Sequence, residues 1–220
     1  AHAEVHNVYN DISLVALAML AAAKNAKVPV CVHLDHGVTM EMIDRAIALG
    51  FTSIMVDAST KPYEENIKIT KSVVEKCHAK NISVEAELGK MPTAEDGSKI
   101  NSDNAADFYT DADEAVDFVS KTGIDALAIS FGTSHGFYKS KPQLDFEVIK
   151  RCRDKLNGFP LVMHGGSGVS AEDNKKVIEA GIRKINHYSY MSKAGYLEAK
   201  KLIESNQTLF FHDVAHAAML

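Results

Sequence analysis

The stretch VPVCVHLDHG at residues 28–37 decides the fold class. Its β-branched apolar run ends in a cluster of polar side chains, with Asp35 and His36 immediately before Gly37. An amphipathic helical pattern begins directly afterwards and covers residues 40–49. A short apolar strand that passes through a polar turn into a helix is the repeating unit of parallel α/β sheets. The stretch therefore predicts a βα unit with chemically active side chains at the carboxyl end of its strand.

The same alternation continues along the chain. Strand-like runs occupy residues 28–34, 53–56, 83–88, 126–131, 161–163 and 184–186, and helical patterns lie at 40–49, 63–79, 113–121, 145–155, 171–180 and 192–204. A closed (β/α)8 barrel needs eight such units. We therefore expect an α/β chain of TIM-barrel type that lacks the first two strands, with residues 14–24 as the helix after the second strand. Residues 1–220 are expected to form one domain, truncated at both ends.

The composition excludes several classes of protein. The chain has 220 residues, of which 46% are hydrophobic and 24% charged, as in globular proteins and unlike disordered ones. A formal net charge of −5 argues against nucleic acid as a partner. No apolar run approaches the roughly 18 residues of a membrane span, and no signal peptide is evident, so we expect no membrane association. The three cysteines form no CxxC pair, which favours a reducing cytoplasm.

Polar side chains follow every predicted strand. The segments are HLDHG at 33–37, DAS at 57–59, EAELG at 85–89, GTSHG at 132–136, HGGSG at 164–168 and NHYS at 186–189. In a barrel the carboxyl ends of the strands converge on one rim, where active sites lie. We therefore expect these segments to form a single site.

Three histidines in these segments, His36, His135 and His164, each precede a glycine. Three imidazoles that leave one coordination position open are typical of a catalytic zinc site. The alternative is that such histidines only form hydrogen bonds to nearby loops. Asp57 and Glu87 are candidates for a second cation, or are ordinary rim carboxylates.

Asp35 stands beside His36 in the sequence. A carboxylate next to a metal but not bound to it is suited to proton transfer, or alternatively it orients a metal-bound histidine. Strict strand alternation places Asp35 and His36 on opposite faces unless the strand end bends.

Two further segments suggest an anion site. Residues 165–168 lead into the helix at Ala171, and residues 186–189 lead into the next predicted helix. Small residues and helix N-termini favour bound phosphate, and these are the last two βα units, where many barrels bind phosphate. Each segment alone is equally consistent with a tight turn. The long polar loop at 89–110 is predicted to be a mobile lid.

Six motifs together resemble the class II, zinc-dependent ketose-bisphosphate aldolases, a family that includes fructose- and tagatose-bisphosphate aldolases. They are HLDHG at 33–37, MVDAS at 55–59, VEAELG at 84–89, SHGFYK at 134–139, HGGSGV at 164–169 and KIN at 184–186. The resemblance implies a TIM barrel in which His36, His135 and His164 hold Zn²⁺ and Asp35 is the acid/base. It implies a second divalent or monovalent cation at Asp57 and Glu87, and a proton-transferring Glu95 in the lid. The implied contacts to dihydroxyacetone phosphate are Gly136, Gly165, Gly166, Ser167, Asn186, His187, Tyr188 and Ser189.

The activity implied by the resemblance is reversible aldol cleavage of a ketose 1,6-bisphosphate into dihydroxyacetone phosphate and glyceraldehyde 3-phosphate. This is cytoplasmic carbohydrate metabolism of the glycolytic kind, carried out by a homodimer or homotetramer on a phosphorylated sugar. Fructose and tagatose stay open as the sugar. Two other functions stay open as well, a zinc hydrolase on the same fold and a non-catalytic sugar-phosphate-binding relative. The hydrolase is disfavoured by the lack of an HxH pair on one strand.

Overall fold

The strands of the alternating pattern form one parallel sheet. The computed structural model describes residues 12–89, 108–138, 140–205 and 209–219. Within them, six strands lie in the order β1-β2-β3-β4-β5-β6, and all neighbours are parallel. The strands are β1 His33–Gly37, β2 Ser53–Val56, β3 Ser83–Leu88, β4 Ala126–Ile129, β5 Leu161–Met163 and β6 Ile182–Ile185. The parallel α/β architecture is confirmed as a six-stranded half-barrel, whereas the eight-stranded barrel and the single-domain boundaries stay predictions.

Eight helices accompany the strands in the described part of the chain. They are α1 Ser13–Asn25, α2 Met40–Leu49, α3 Tyr63–His78, α4 Ala112–Thr122, α5 Phe146–Lys155, α6 Ala171–Ala180, α7 Ser189–Glu204 and α8 Phe211–Met219. Side-chain caps fix several of their starts, since Asp111 accepts hydrogen bonds from two amides of α4 and Ser170 accepts one from α6. Ser170 thereby ends the polar loop that begins at His164, directly after β5.

The sheet has one apolar and one polar face. The apolar face packs against the helices in a continuous core that includes Leu34, Ile54, Val84, Leu127 and Leu161. Because strand side chains alternate, the opposite face presents a different set, which includes His33, Asp35, Glu85 and Glu87. A register shift after Ile182 in β6 adds Lys184 to this face, where it contacts Glu85. This face is the inner face of the half-barrel.

The side chains of the two edge strands meet across this interior. Lys184 Nζ of β6 lies 3.4 Å from His33 Nε2 of β1. Asn186 Nδ2, just after β6, donates to Asp35 Oδ1 of β1 at 2.9 Å. The sheet therefore curves strongly enough to bring its first and last strands to the same polar interior, even though β1 and β6 do not pair.

Several boundaries differ from the predictions by one to five residues. The first strand begins at His33 instead of residue 28, because pairing with β2 starts only where Thr52 and Ser53 donate to Val32 O, at 2.9 and 3.2 Å. Val28, 67% exposed, lies outside the core. The predicted helix at 192–204 begins earlier, at Ser189.

The predicted lid lies mostly outside the described residues, and Glu95 does so entirely. Its mobility and the role of Glu95 therefore stay predictions. Among the helices of the described part of the chain, none combines the length and apolar character needed to cross a membrane.

Candidate metal centre

The end of β1 is bent, and the bend brings consecutive polar residues to one place. The register with β2 shifts between Leu34 and Gly37, and His36 adopts a left-handed φ of 51°. This conformation costs a non-glycine residue on the order of 1–2 kcal/mol. The bend brings the backbone of Gly37 close to β2. A Cβ at this position would lie 2.6 Å from Met55 O, so the close approach requires glycine. Strict alternation is broken here, so Asp35 and His36 both face the candidate site.

The three predicted histidines come together at the carboxyl ends of β1, β4 and β5. His164 Nδ1 lies 3.0 Å from His36 Nε2 and 3.4 Å from His135 Nε2. The rings meet edge to face, with centroids 4.7–5.6 Å apart. His36 and His164 are buried, and His135 is half-buried. One nitrogen of each ring therefore points into a shared space that is partly open to solvent.

This donor set fits a zinc ion. Tetrahedral zinc with Zn–N bonds of about 2.0–2.1 Å separates its nitrogen ligands by about 3.3 Å. The two short N···N distances, 3.0 and 3.4 Å, lie close to that value. Within the described residues, the ligand atoms of His36, His135 and His164 all fall within 4.8 Å of one another.

In two of these rings the outer nitrogen, which is the one that faces away from the shared space, contacts a carboxylate. His36 Nδ1 lies 2.7 Å from Asp57 Oδ2, and His164 Nε2 lies 2.9 Å from Glu85 Oε1. A proton held on the outer nitrogen leaves the inner nitrogen with its lone pair toward the shared space. Burial disfavours the charged form of His36, but the Asp57 hydrogen bond and nearby carboxylates raise its pKa to about 9. The surroundings of His36 thus favour its positively charged form.

Asp57 and Glu87, the predicted second cation site, also lie together. Their ligand atoms and one of His36 fall within 4.8 Å of one another. Glu87 Oε2 is buried and has no hydrogen-bond partner among the described residues. Burial raises the pKa of Glu87 to about 7. A buried oxygen without a partner is costly, and a cation bound between these carboxylates would remove that cost.

Asp35 is placed for proton transfer beside the histidines. Its Oδ1 accepts a hydrogen bond from Asn186 Nδ2 at 2.9 Å, and the same nitrogen lies 3.2 Å from His164 Nε2. Burial acts to raise the pKa of Asp35, but the charges of His164, His36 and Lys184 outweigh it and lower the pKa below its usual value. The side chain is therefore an ionised carboxylate near neutral pH.

The glycines after β5 let three loops pack closely. Gly165 has φ 66°, and a Cβ there would lie 2.3 Å from Ser134 O. Tyr138 ties the same two loops together, since its hydroxyl donates to Gly165 O at 2.8 Å and accepts from Ser134 N at 2.9 Å. A Cβ on Gly166 would lie 2.6 Å from Ile185.

The predicted substrate-binding residues lie on adjacent loops. The Gly166 amide donates to Asn186 O at 3.0 Å, and the Tyr188 amide donates to Ser167 Oγ at 2.8 Å. His187 Nδ1 lies 3.4 Å from the same Ser167 hydroxyl. Ser189 begins α7, and Gly136, with φ 88°, follows His135 on the β4 loop. Two amides expected to face an anion are thus engaged in holding the β5 and β6 loops together.

The sequence analysis gave no individual role to three residues of the site. Tyr138 was not singled out, because a loop tyrosine gives no periodic signal. Glu85 lies in the segment EAELG, which was expected in the site, but only Glu87 of its two carboxylates was given a role; Lys184, in the motif KIN, was given none. For Glu85 the available signal was strand alternation, which places it on the same face as Glu87.

The fold and site define a parallel α/β half-barrel with a candidate metal centre on its carboxyl rim. The chain belongs to the class-II fructose-bisphosphate aldolase family, whose model matches residues 2–219. The family resemblance inferred from the six motifs is thereby confirmed.

Individual relatives agree with this assignment. The chain is 43% identical over 195 residues to the uncharacterized protein YdjI of Escherichia coli K12, covering 88% of this chain and 67% of YdjI. It is 46% identical over 165 residues to the fructose-bisphosphate aldolase of Geobacillus stearothermophilus, covering 74% of this chain and 55% of that enzyme. The chain thus spans little more than half the length of that enzyme.

Solved structures share the architecture. The crystal structure of the YdjI aldolase of E. coli K12 is similar with a TM-score of 0.81 and 38% identity, covering 97% of this chain and 72% of that one. A putative fructose-1,6-bisphosphate aldolase from Coccidioides immitis gives a TM-score of 0.79 and 33% identity, covering 96% and 72%.

Proposed function

We propose that this chain is the major part of a zinc-dependent class II aldolase. The reaction is reversible cleavage of a ketose 1,6-bisphosphate, fructose or tagatose, into dihydroxyacetone phosphate and glyceraldehyde 3-phosphate. One observation carries the proposal. Three histidine nitrogens converge beside an ionised Asp35 on the rim of a parallel half-barrel. Membership of the aldolase family supports the reaction class.

In this proposal His36, His135 and His164 hold the zinc ion, and Asp57 with Glu87 offers a place for a second cation. When bound, zinc acts as a Lewis acid that polarises the substrate carbonyl and stabilises the negative charge that develops on its oxygen. The carboxylates beside His36 and His164 keep the outer ring protons in place, so that both rings present their inner nitrogens.

Asp35 is the proposed base. It accepts the proton of the substrate C4 hydroxyl as the C3–C4 bond breaks, and the electrons of that bond pass to the three-carbon fragment that carries the ketone. The pKa of Asp35 lies below its usual value, so the side chain is ionised near neutral pH and able to accept a proton. Asn186 holds one carboxylate oxygen at 2.9 Å, which leaves the other available to the substrate.

The loops after β4, β5 and β6 are the proposed phosphate site. Gly136, the segment 165–167 and the segment 186–189 line it. The amides at the start of α7 have no partner within their own helix and attract negative charge. Since the amides of Gly166 and Tyr188 and the hydroxyl of Ser167 are engaged, the proposed contacts fall on the amide of Ser167 and on Ser189. A phosphate held there fixes the reacting carbons against Asp35.

The test is cleavage of both ketose bisphosphates by the full-length protein, with triose phosphate detected as product. We expect cleavage of at least one substrate, its loss on chelation and its return when zinc is restored. Because no lysine nitrogen forms a covalent bond to the substrate in this scheme, borohydride should trap no adduct. A zinc-loaded protein that cleaves neither substrate, or cleavage that survives complete removal of metal, would contradict the proposal.

A further inference from the structure

A short chain of polar contacts on the inner face of the half-barrel leads to His164. Lys184 Nζ lies 2.7 Å from Glu85 Oε2, and Glu85 Oε1 lies 2.9 Å from His164 Nε2. The side chains of His164 and Glu85 are 0% and 3% exposed, and that of Lys184 is 36% exposed. The three residues come from different strands or strand ends, so the contact exists only in the folded half-barrel.

The Glu85 side chain is 3% exposed, as buried as that of Glu87. It lies two residues before Glu87 on the same face of β3, in register with Met55 and Ala126. A buried carboxylate is costly unless its oxygens are paired. Glu85 Oε1 contacts His164 at 2.9 Å and Oε2 contacts Lys184 at 2.7 Å, with His33 Nε2 3.9 Å from Oε2.

The geometry fixes what His164 presents to the metal centre. An imidazole can carry its proton on either nitrogen, and the hydrogen bond made by one nitrogen decides what the other offers. Glu85, paired with Lys184 as a carboxylate, can only accept a hydrogen bond from His164 Nε2. A proton held on Nε2 then leaves the Nδ1 lone pair toward His36 and His135. Removing Lys184 would leave Glu85 Oε2 without its 2.7 Å partner and allow the carboxylate to turn away from His164.

We propose that Glu85 and Lys184 are positioning residues for the metal centre. Lys184 holds Glu85, Glu85 holds His164, and the pair sets the affinity of the three histidines for a divalent cation. The inference rests on the proposed function only in assigning a metal to those histidines. Neither residue needs to touch the substrate.

The test measures zinc affinity of the full-length protein by competition with a chromophoric chelator. We expect Lys184→Met and Glu85→Gln each to weaken zinc binding by about 10–100-fold, the usual effect of removing an outer partner of a metal-bound histidine. Lys184→Arg, which keeps the positive charge, should recover most of the affinity. The matched control is Lys176→Met, which breaks the exposed 2.6 Å pair with Glu172 and should leave affinity unchanged.

A spectroscopic measurement separates positioning from a general loss of structure. Nitrogen-15 NMR of the histidine rings in metal-free protein should show His164 protonated at Nε2 in the parent. Lys184→Met should instead show a mixture of the two tautomers. Because Lys184 is partly exposed, this variant and Lys184→Arg carry the test even where Glu85→Gln fails to fold.

The outcomes distinguish the two proposals. A parent protein that binds no zinc would contradict the proposed function, while the tautomer measurement would still decide whether Lys184 positions His164. A Lys184→Met protein that binds zinc as tightly as the parent, with the His164 tautomer unchanged, would overturn the positioning role alone.

Discussion

Replacing Gly165 with alanine adds one methyl group where the loops after β4 and β5 touch. The new Cβ would lie 2.3 Å from Ser134 O and 2.8 Å from Ser134 C, whereas real Cβ atoms essentially never come closer than 3.0 Å. Both of these atoms are backbone, so no flexible side chain can move aside. The two loops must separate by about 0.7 Å, the difference between 2.3 and 3.0 Å.

The separation acts directly on the metal centre. His135 follows Ser134 and His164 precedes Gly165, so moving the loops apart moves two of the three candidate ligands. It also stretches the 2.8 Å hydrogen bond from the Tyr138 hydroxyl to Gly165 O. A misplacement of about 1 Å in a site of this kind can cost ~10²-fold in rate, and we expect weaker zinc binding along with it.

A second cost of Gly165→Ala concerns stability alone. Gly165 has φ 66°, and alanine in a left-handed conformation costs about 1–2 kcal/mol. In a chain of this size, each kcal/mol lowers Tm by about 2–4 °C.

Gly158→Ala is the matched control, since Gly158 has φ 79° and a Cβ there would meet nothing within 4 Å. Thermal unfolding and chelator competition, measured on both variants, separate the two costs. We expect both to lose stability and only Gly165→Ala to lose zinc affinity as well. If the two variants bind zinc equally tightly, the close contact at Ser134 does not position the histidines, and the reasoning is wrong.

Two further predictions concern catalysis and the core. Asp35→Asn should lower the cleavage rate by ~10²–10⁴-fold, because it removes the proposed base, while metal analysis should find zinc still bound; loss of zinc would make Asp35 a ligand instead. Phe118→Ala should lower the free energy of unfolding in urea by about 3–5 kcal/mol, since Phe118 is fully buried. The matched Phe211→Ala, at a side chain 88% exposed, should change it by less than about 0.5 kcal/mol, and equal effects would contradict the packing described for Phe118.

Much of the architecture was predictable because apolar strands and amphipathic helices differ in period. The bounds of β2, β3 and β5 match the sequence prediction. The apolar residues at 28–31 were wrongly predicted as part of the first strand, because periodicity cannot show where pairing with the next strand begins. The start of α7 at Ser189 was missed because the turn after β6 carries no clear capping signal.

The residues of the candidate site that lie at strand ends could be predicted from the sequence. The histidines and Asp35 belong to segments that the parallel topology must bring together. The bend at His36 was not predictable, since it depends on Gly37 pressing against Met55 O. The contact between Glu85 and Lys184 joins β3 to β6 and depends on the curvature of the sheet. Sheet curvature cannot be predicted from a local sequence pattern.

The central claim is that His36, His135 and His164 bind one metal ion. A crystal structure of the zinc-loaded full-length protein, with anomalous data at the zinc edge, tests it directly. The account predicts one strong anomalous peak about 2.0–2.1 Å from His36 Nε2, His135 Nε2 and His164 Nδ1. A peak elsewhere, or zinc bound with these three nitrogens more than about 5 Å apart, would contradict it.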